Sequence, residues 1–328
     1  MVDPALIAQA ARLIRGGELV AFPTETVYGL GADALDPIAV ARIFALKERP
    51  TFDPLIVHVG DPTELRRIAR ADDPRVSRLT DAFWPGPLTL VLPKKDVIPG
   101  IVTAGLPTVG VRMPAHPVAL ALIRESGCPI AAPSANKFGR VSPTRAEHVS
   151  RWLPGVSLVL DGGPTLVGLE STIVTLDEQG FVILRPGVIT REALERYVPA
   201  SPGRPTTGPV TAPGMLKSHY SPSKPLYLLG TEPPSLPRAR GGFLSAGGEA
   251  SGDWGRVVVL SPRGDLLEAA AGLFAALHDL EEADVDYLVA EPVEDTGVGA
   301  AIMDRLRKAA WRFGPGATGA SPEDSEES

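Results

Sequence analysis

Eight short apolar runs, none longer than a strand, decide what the chain from Leu19 to about Val198 can fold into. They read ELVAF (18–22), PLIVHV (54–59), LTLVLP (88–93), TVGVRMP (108–114), PIAAP (129–133), VSLVLD (156–161), STIVTL (171–176) and FVILRP (181–186), with helical patterns between them. Runs of this length bounded by Gly, Pro and polar clusters predict strands, and strands alternating with helices predict an α/β sheet. Asp36 and Pro37 read as the N-cap and first position of a helix that runs to about Glu48 and is closed by Pro50. Ser142-Pro143 and Thr190 carry the same opening signal for two further helices. The DEQG tetrapeptide between the last two runs reads as a hairpin turn, so the sheet is expected to be mixed rather than wholly parallel.

At 328 residues the chain exceeds the roughly 250 to 300 residues at which one hydrophobic core usually stops growing, so two domains are expected. The join is visible as SPGRPTTGPVTAPGMLKSHYSPSKP (201–225), where six prolines forbid a regular helix or strand. After it come KPLYLLG, a Gly-rich stretch, GRVVVL, the helical EAAAGLFAALHDLEEA, DYLVAEPV and a last helix in GAAIMDRLRKAAWRF. This βαβα order predicts a small, parallel, Rossmann-like domain. The final GPGATGASPEDSEES is acidic and rich in small residues, and is expected to be disordered. The expected organisation is a catalytic domain over 1–200, a linker or lid over 201–225, a second domain over 226–314 and a tail over 315–328.

Charge and cysteine content narrow the function classes. Residues 1–200 carry 21 Lys and Arg against 21 Asp and Glu, and the remainder 11 against 18. Neither part has the basic excess that counterion release requires, so no stable nucleic-acid binding is expected. No apolar run approaches the ~18 residues of a membrane span, and the N-terminus lacks a signal peptide's apolar stretch, which points to a cytoplasmic enzyme. The lone Cys128 excludes an internal disulfide and a multi-cysteine zinc site, and reads as a small core residue.

The polar residues that can carry chemistry stand where these runs end. FPTETVYGLG (22–31) leaves a strand and enters a loop whose glycines let the backbone approach a ligand, though alone it reads equally as a polar turn. Lys47 and Arg49 close a helix. Basic residues there answer the helix dipole, yet a point charge beside a planar guanidinium also suits a polyphosphate. His58 in its strand is a core histidine or a reacting group. Arg112 ends another apolar strand, Ser134 and Asn136 follow a third, and Ser142 reads as a helix cap or an anion site. Leu169-Glu-Ser-Thr-Ile173 and Arg185-Pro-Gly187 complete a set of strand-end polar residues, which is expected to surround one ligand cleft.

Taken together, FPTETVYGLGADA, K-x-RP before PLIVHV, WPGPLTLVL, VGVRMPAHP, APSAN, SPT, LESTIV and RPGxIT resemble, in order and spacing, the YrdC-type domain of threonylcarbamoyl-AMP synthases. The likeness spans about residues 10 to 198, while PGMLKSHYSP and GVGAAIMDRLRKAA resemble the longer two-domain form. The resemblance implies a twisted mixed sheet with helices plus a Rossmann-like C-terminal domain. It also implies a nucleotidyltransferase that makes threonylcarbamoyl-AMP and pyrophosphate from L-threonine, bicarbonate and ATP with Mg²⁺. Its product feeds the tRNA threonylcarbamoyl transferase machinery that modifies position 37.

Carried over by motif, Lys47, Arg49, Asp53, Thr108, Ser134, Asn136, Ser142, Arg185 and the linker's Tyr220 are expected around ATP. Thr26, His58, Arg112 and Thr172 are expected around threonine, with Arg112 on its carboxylate. No protein metal site is implied. Lys47, Arg49 and His58 are the candidate catalytic residues, His58 either positioning threonine or acting as a base for its amine. The family pattern has Asn-Pro-Leu where this chain has Asp53-Pro54-Leu55, an added negative charge that weakens phosphate contact unless a metal or a neighbouring base offsets it. The linker around His219-Tyr220 is expected to fold over the nucleotide and exclude water, or else to be a plain spacer. Gly297-Val-Gly299 is only a fragment of a phosphate loop. Two other readings stay open. One is an RNA-binding or ribosome-maturation factor of the YrdC type. The other is the carbamoyl transfer of hydrogenase maturation, whose zinc fingers a single cysteine cannot build.

Overall fold

A computed structural model describes residues 2–202, 212–232, 235–248 and 252–313. The expected tail over 315–328 and most of the first half of the proline-rich segment lie outside the described residues. The first part of the chain runs α1 (Pro4–Arg15), β1 (Val20–Phe22), β2 (Gly29–Asp33), α2 (Pro37–Lys47), β3 (Ile56–His58), α3 (Leu65–Ile68) and α4 (Pro74–Phe83). It continues β4 (Leu88–Pro93), β5 (Thr108–Arg112), α5 (Pro117–Ser126), β6 (Ile130–Ala131), α6 (Ala146–Trp152), β7 (Leu158–Val159), β8 (Thr172–Leu176), β9 (Phe181–Arg185) and α7 (Arg191–Glu195). The nine strands form one sheet in the order β7-β1-β2-β6-β3-β5-β4-β8-β9.

That sheet is mixed, as the hairpin signal requires. β3 and β5 run parallel, β4 is antiparallel to β5, and β8 and β9 form the antiparallel hairpin that turns through Asp177–Gly180. The Asp36 carboxylate accepts from Ile38 N, and α2 closes on Glu48 in the left-handed region at φ 54°. Thr190 caps α7 by accepting from Ala193 N. Ser142-Pro143, in contrast, opens no helix. α6 begins at Ala146 after Arg145, and the Ser142 hydroxyl is drawn to Glu170, a partner distant in sequence that no local cap signal can reveal. β2 was also hidden, because its Gly29 and Gly31 read as loop. A Cβ at Gly31 would sit 2.7 Å from the Phe22 ring and 2.8 Å from Ile130, so packing excludes any side chain there.

The second part contains β10 (Leu226–Leu228), β11 (Gly241–Ser245), β12 (Arg256–Val259), α8 (Leu266–Glu282), β13 (Tyr287–Ala290) and α9 (Gly297–Ala310). Among the described residues its four strands are all parallel in the order β10-β13-β11-β12, which agrees with a small parallel sheet domain. The order along the chain corrects the βαβα expectation. Three strands precede the first helix, and the buried β11 comes from the stretch read only as Gly-rich. Gly241 and Gly242 lie against Tyr287 and Leu288, where a Cβ would meet the neighbouring side chains at 2.7 and 2.9 Å.

The two parts share a core. Val27, Val141 and Leu169 of the first pack with Tyr220 of the connecting segment and with Leu273, Phe274, Leu277, Ile302 and Leu306 of α8 and α9. Cys128 is a free, buried thiol whose pKa burial, and secondarily Asp33, pushes up to about 12. Among the described residues no helix is long and apolar enough to cross a membrane.

Candidate active site

The strand ends converge on a narrow cleft walled by the β1–β2 loop, β3, the end of β5, the loop after β6, the approach to β8 and the end of β9, with the connecting segment across its mouth. The cleft holds about 50 Å³, far below the roughly 300 to 1,000 Å³ of typical ligand pockets. Pro213, Gly214, His219 and Tyr220 of the connecting segment line it.

At one end the backbone pairs His58 with Arg112 across the parallel β3 and β5, so both side chains rise from the same sheet face. Arg112 donates to Thr26 Oγ1 at 3.0 Å and to Gly86 O at 3.2 Å, and a further guanidinium nitrogen lies 2.6 Å from Glu25 Oε1. The Glu25 contact lacks the alignment of a hydrogen bond, leaving both carboxylate oxygens buried without an acceptor bond. Thr26 is tied to Thr24 at 2.8 Å, and Thr24 in turn donates to Val27 O. Burial, and after it the Arg112 charge, lowers the His58 pKa to about 3, so the imidazole is neutral near pH 7.

At the other end gather the cations. Arg49 donates to Asp53 O at 3.1 Å and Pro54 O at 2.9 Å, and its guanidinium stands 2.9 Å from the Asp53 carboxylate. Arg49 is thus the neighbouring base that offsets Asp53. Burial raises the Asp53 pKa, and Arg49 and Lys47 pull against that rise. Arg185 donates to Ser171 O and Oγ at 3.1 Å and to Pro213 O at 3.3 Å. The buried Lys47 ammonium donates to Ser134 O at 2.7 Å and to Asn136 O, bracing the loop after β6. Burial, then the Arg49 charge, holds the Lys47 pKa well below its ordinary value. His219 is buried and depressed in the same way, first by desolvation and then by Arg49, Lys47 and Arg185. Positive charges that burial and mutual repulsion both disfavour call for an anion.

Of the residues expected from sequence, Thr26, Arg49, His58, Arg112, Ser134, Arg185 and Tyr220 line this cleft. Lys47 stands behind Ser134. Asp53 stands beside Arg49. Asn136 turns its amide to Lys137 O and Arg140 O at 2.8 and 2.9 Å, shaping the loop rather than facing the cleft. Ser142 and Thr172 are fully buried. Ser142 bonds Glu170, and the Thr172 hydroxyl donates to Ile189 O at 2.8 Å, locking the β9–α7 turn against β8. Thr108 is not brought to the cleft. It starts β5, about 13 Å of extended strand from Arg112 on the same sheet face, and borders a separate hollow with Arg70, Asp72 and Asp73.

Sequence reasoning passed over four contributors: Glu25, Glu170, Ser171 and Arg305. All four lie inside quoted motifs with no role given. Arg305 carried a usable signal, a lone cation on the apolar stripe Ile302, Leu306 and Ala309 of the last helix.

Residues 12–187 match the Sua5/YciO/YrdC family, whose description is "Telomere recombination", and residues 189–311 match "Threonylcarbamoyl-AMP synthase, C-terminal domain". The threonylcarbamoyl-AMP synthase of Bacillus subtilis (strain 168) is 46% identical over 327 aligned positions, covering 94% of this chain and 93% of that protein. The threonylcarbamoyl-AMP synthase of Pyrococcus abyssi is 44% identical and covers 92% of each. The crystal structure of P. abyssi Sua5 complexed with L-threonine superposes with a TM-score of 0.84 at 42% identity, over 95% of this chain and 96% of that one.

Proposed function

The chain belongs to the Sua5/YciO/YrdC family in its two-domain form, and from that membership we infer that it is a nucleotidyltransferase making threonylcarbamoyl-AMP. The threonine amine and bicarbonate condense to a carbamate with loss of water. A carbamate oxygen then attacks the α-phosphorus of ATP, and pyrophosphate leaves. The observation that carries this reading is the polarity of one cleft: a buried arginine with a neutral imidazole and a threonine hydroxyl at one end, crowded cations at the other. No protein nucleophile is needed, so positioning and charge stabilisation supply the catalysis.

In this reading Arg112 pairs with the threonine carboxylate, Thr26 and His58 hold the rest of the amino acid, and Thr172 keeps the β8 wall in place. Arg49, Arg185 and Tyr220 face the nucleotide, with Lys47, Asp53, Ser134, Asn136 and Ser142 shaping its walls. The segment around His219 and Tyr220 lifts to admit ATP and closes to keep water from the adenylate. Among the described residues no three His, Cys, Asp or Glu side chains gather, and Asp53 and Glu170 are already paired with arginines. A Mg²⁺ ion would therefore be held mainly by the phosphates it arrives with, neutralising their charge. The product would pass, in the cytoplasm, to a transferase that carries the threonylcarbamoyl group to tRNA position 37.

Incubating the purified protein with ATP, Mg²⁺, bicarbonate and L-threonine should give threonylcarbamoyl-AMP by mass spectrometry. A Lys47→Ala/Arg49→Ala double variant should give none. Binding of tRNA with no adenylate formed would support the RNA-binding reading instead.

A further inference from the structure

Arg305 of α9 is 0% exposed, yet its helix belongs to the second domain and every long-range partner it has belongs elsewhere. Its Nε donates to Glu170 Oε2 at 2.9 Å, its Nη1 donates to Pro186 O at 2.9 Å, and its guanidinium carbon lies 5.2 Å from the centre of the Tyr220 ring. These contacts flank those of Arg185 along the chain. Arg185 itself grips Ser171, the residue after Glu170, and is followed by Pro186. Arg305 thus pins the two backbone segments that aim Arg185. Three residues further along α9, Lys308 donates to Gly214 O at 2.6 Å while its carbonyl accepts from His219 N at 3.3 Å. Gly214 sits at φ +79°, where a Cβ would come within 2.7 Å of Tyr220 Oη and 3.1 Å of Arg185 Cδ. The helix therefore fastens both ends of the strap that crosses the cleft.

Building on the synthase reading, we propose that Arg305 and Lys308 are positioning residues for the nucleotide end of the cleft, and that aiming Arg185 and Tyr220 is the contribution of the second domain to the reaction. A buried guanidinium is costly unless its partners are fixed, and its planar fork serves a carboxylate, a carbonyl and an aromatic face together. The amino-acid end is held without α9, since Arg112 is fixed by Glu25, Thr26 and Gly86.

Full-length Arg305→Met and Arg305→Lys variants separate this role from simple bracing. Arg305→Met should raise the ATP KM roughly tenfold and leave the threonine KM within about twofold. Arg305→Lys still meets Glu170 with a charge but loses the fork and the stack, so it should melt near wild type and yet raise the ATP KM by about threefold or more. Hydrogen exchange of the amides from Gly214 to Ser221 should quicken in both. The proposal is overturned if exchange there is unchanged, if both KM values stay within about twofold of wild type, or if both rise together in step with a fall in melting temperature. Should Arg305→Met fail to fold, Arg305→Lys decides. If the wild type forms no adenylate the synthase reading fails, while the exchange measurement still tests the clamp.

Discussion

Burial, reinforced by Arg112, keeps the His58 imidazole neutral down to about pH 3, which favours the positioning role over the base. A group this weakly basic gains little by taking a proton from an ammonium near pH 7, whereas a neutral ring still donates or accepts a hydrogen bond. His58→Gln should therefore keep most of kcat and raise the threonine KM by roughly tenfold, the worth of about one hydrogen bond. Steady-state kinetics with threonine varied checks this. A collapse of kcat with an unchanged KM would restore the base. The same argument predicts no inflection from this residue in the rate profile between pH 5 and 8. Arg49 and Asp53 were both legible as site residues, but their pairing was not. An ion pair four residues apart across a turn depends on how Pro50 and Pro54 bend the chain, and sequence does not give that bend.

Strands built from β-branched and aliphatic runs were readable because burial on both faces makes them continuously apolar between turn residues. β2 and β11 were not, because glycine packed against Phe22 and Tyr287 erases the apolar signal that marks a strand. Caps show the same division. Asp36 and Thr190 act on amides two and three residues away, within reach of a local pattern, and Ser142 acts on Glu170, beyond it. α7 is a single short turn whose Thr190 cap satisfies an amide that packing does not reach. Thr190→Ala should accordingly cost about 1 kcal/mol, read as a shift in the urea midpoint with unchanged slope. It should leave the ATP KM near wild type, since no part of α7 lines the cleft. A loss of ATP affinity without loss of stability would show that the Thr172–Ile189 lock transmits the cap to the site.

The two parts of the molecule meet over buried histidines as well as over Arg305. His148 of α6 and His278 of α8 stack with ring centres 4.0 Å apart, and His278 Nε2 lies 3.2 Å from Ser142 O. Burial, and then each other's proximity, takes His148 to about 3, and burial lowers His278. A histidine depressed in the folded state binds its proton first in the unfolded state, so stability is full above pH 6.5 and falls as the pH drops toward the folded value. His58 and His148 should each cost about 2 kcal/mol at pH 5 relative to pH 7. Glu170, held low by Arg305 and Arg185 against its burial, adds to the loss only below its ordinary 4.5, and Asp53, shifted upward by burial, opposes it. The melting temperature should therefore fall steadily from pH 7 to 5, and a flat profile across that range would contradict the buried, neutral histidines.

If this cleft joins threonine, bicarbonate and ATP as proposed, its product carries an isotopic record. With isotopically labelled bicarbonate, wild-type protein, ATP, Mg²⁺ and L-threonine, the adenylate detected by mass spectrometry should carry the label in its carbamoyl carbon, and omitting threonine should abolish it. An adenylate of threonine without the label, or pyrophosphate release that ignores bicarbonate, would contradict the assignment of this cleft to threonylcarbamoyl-AMP synthesis.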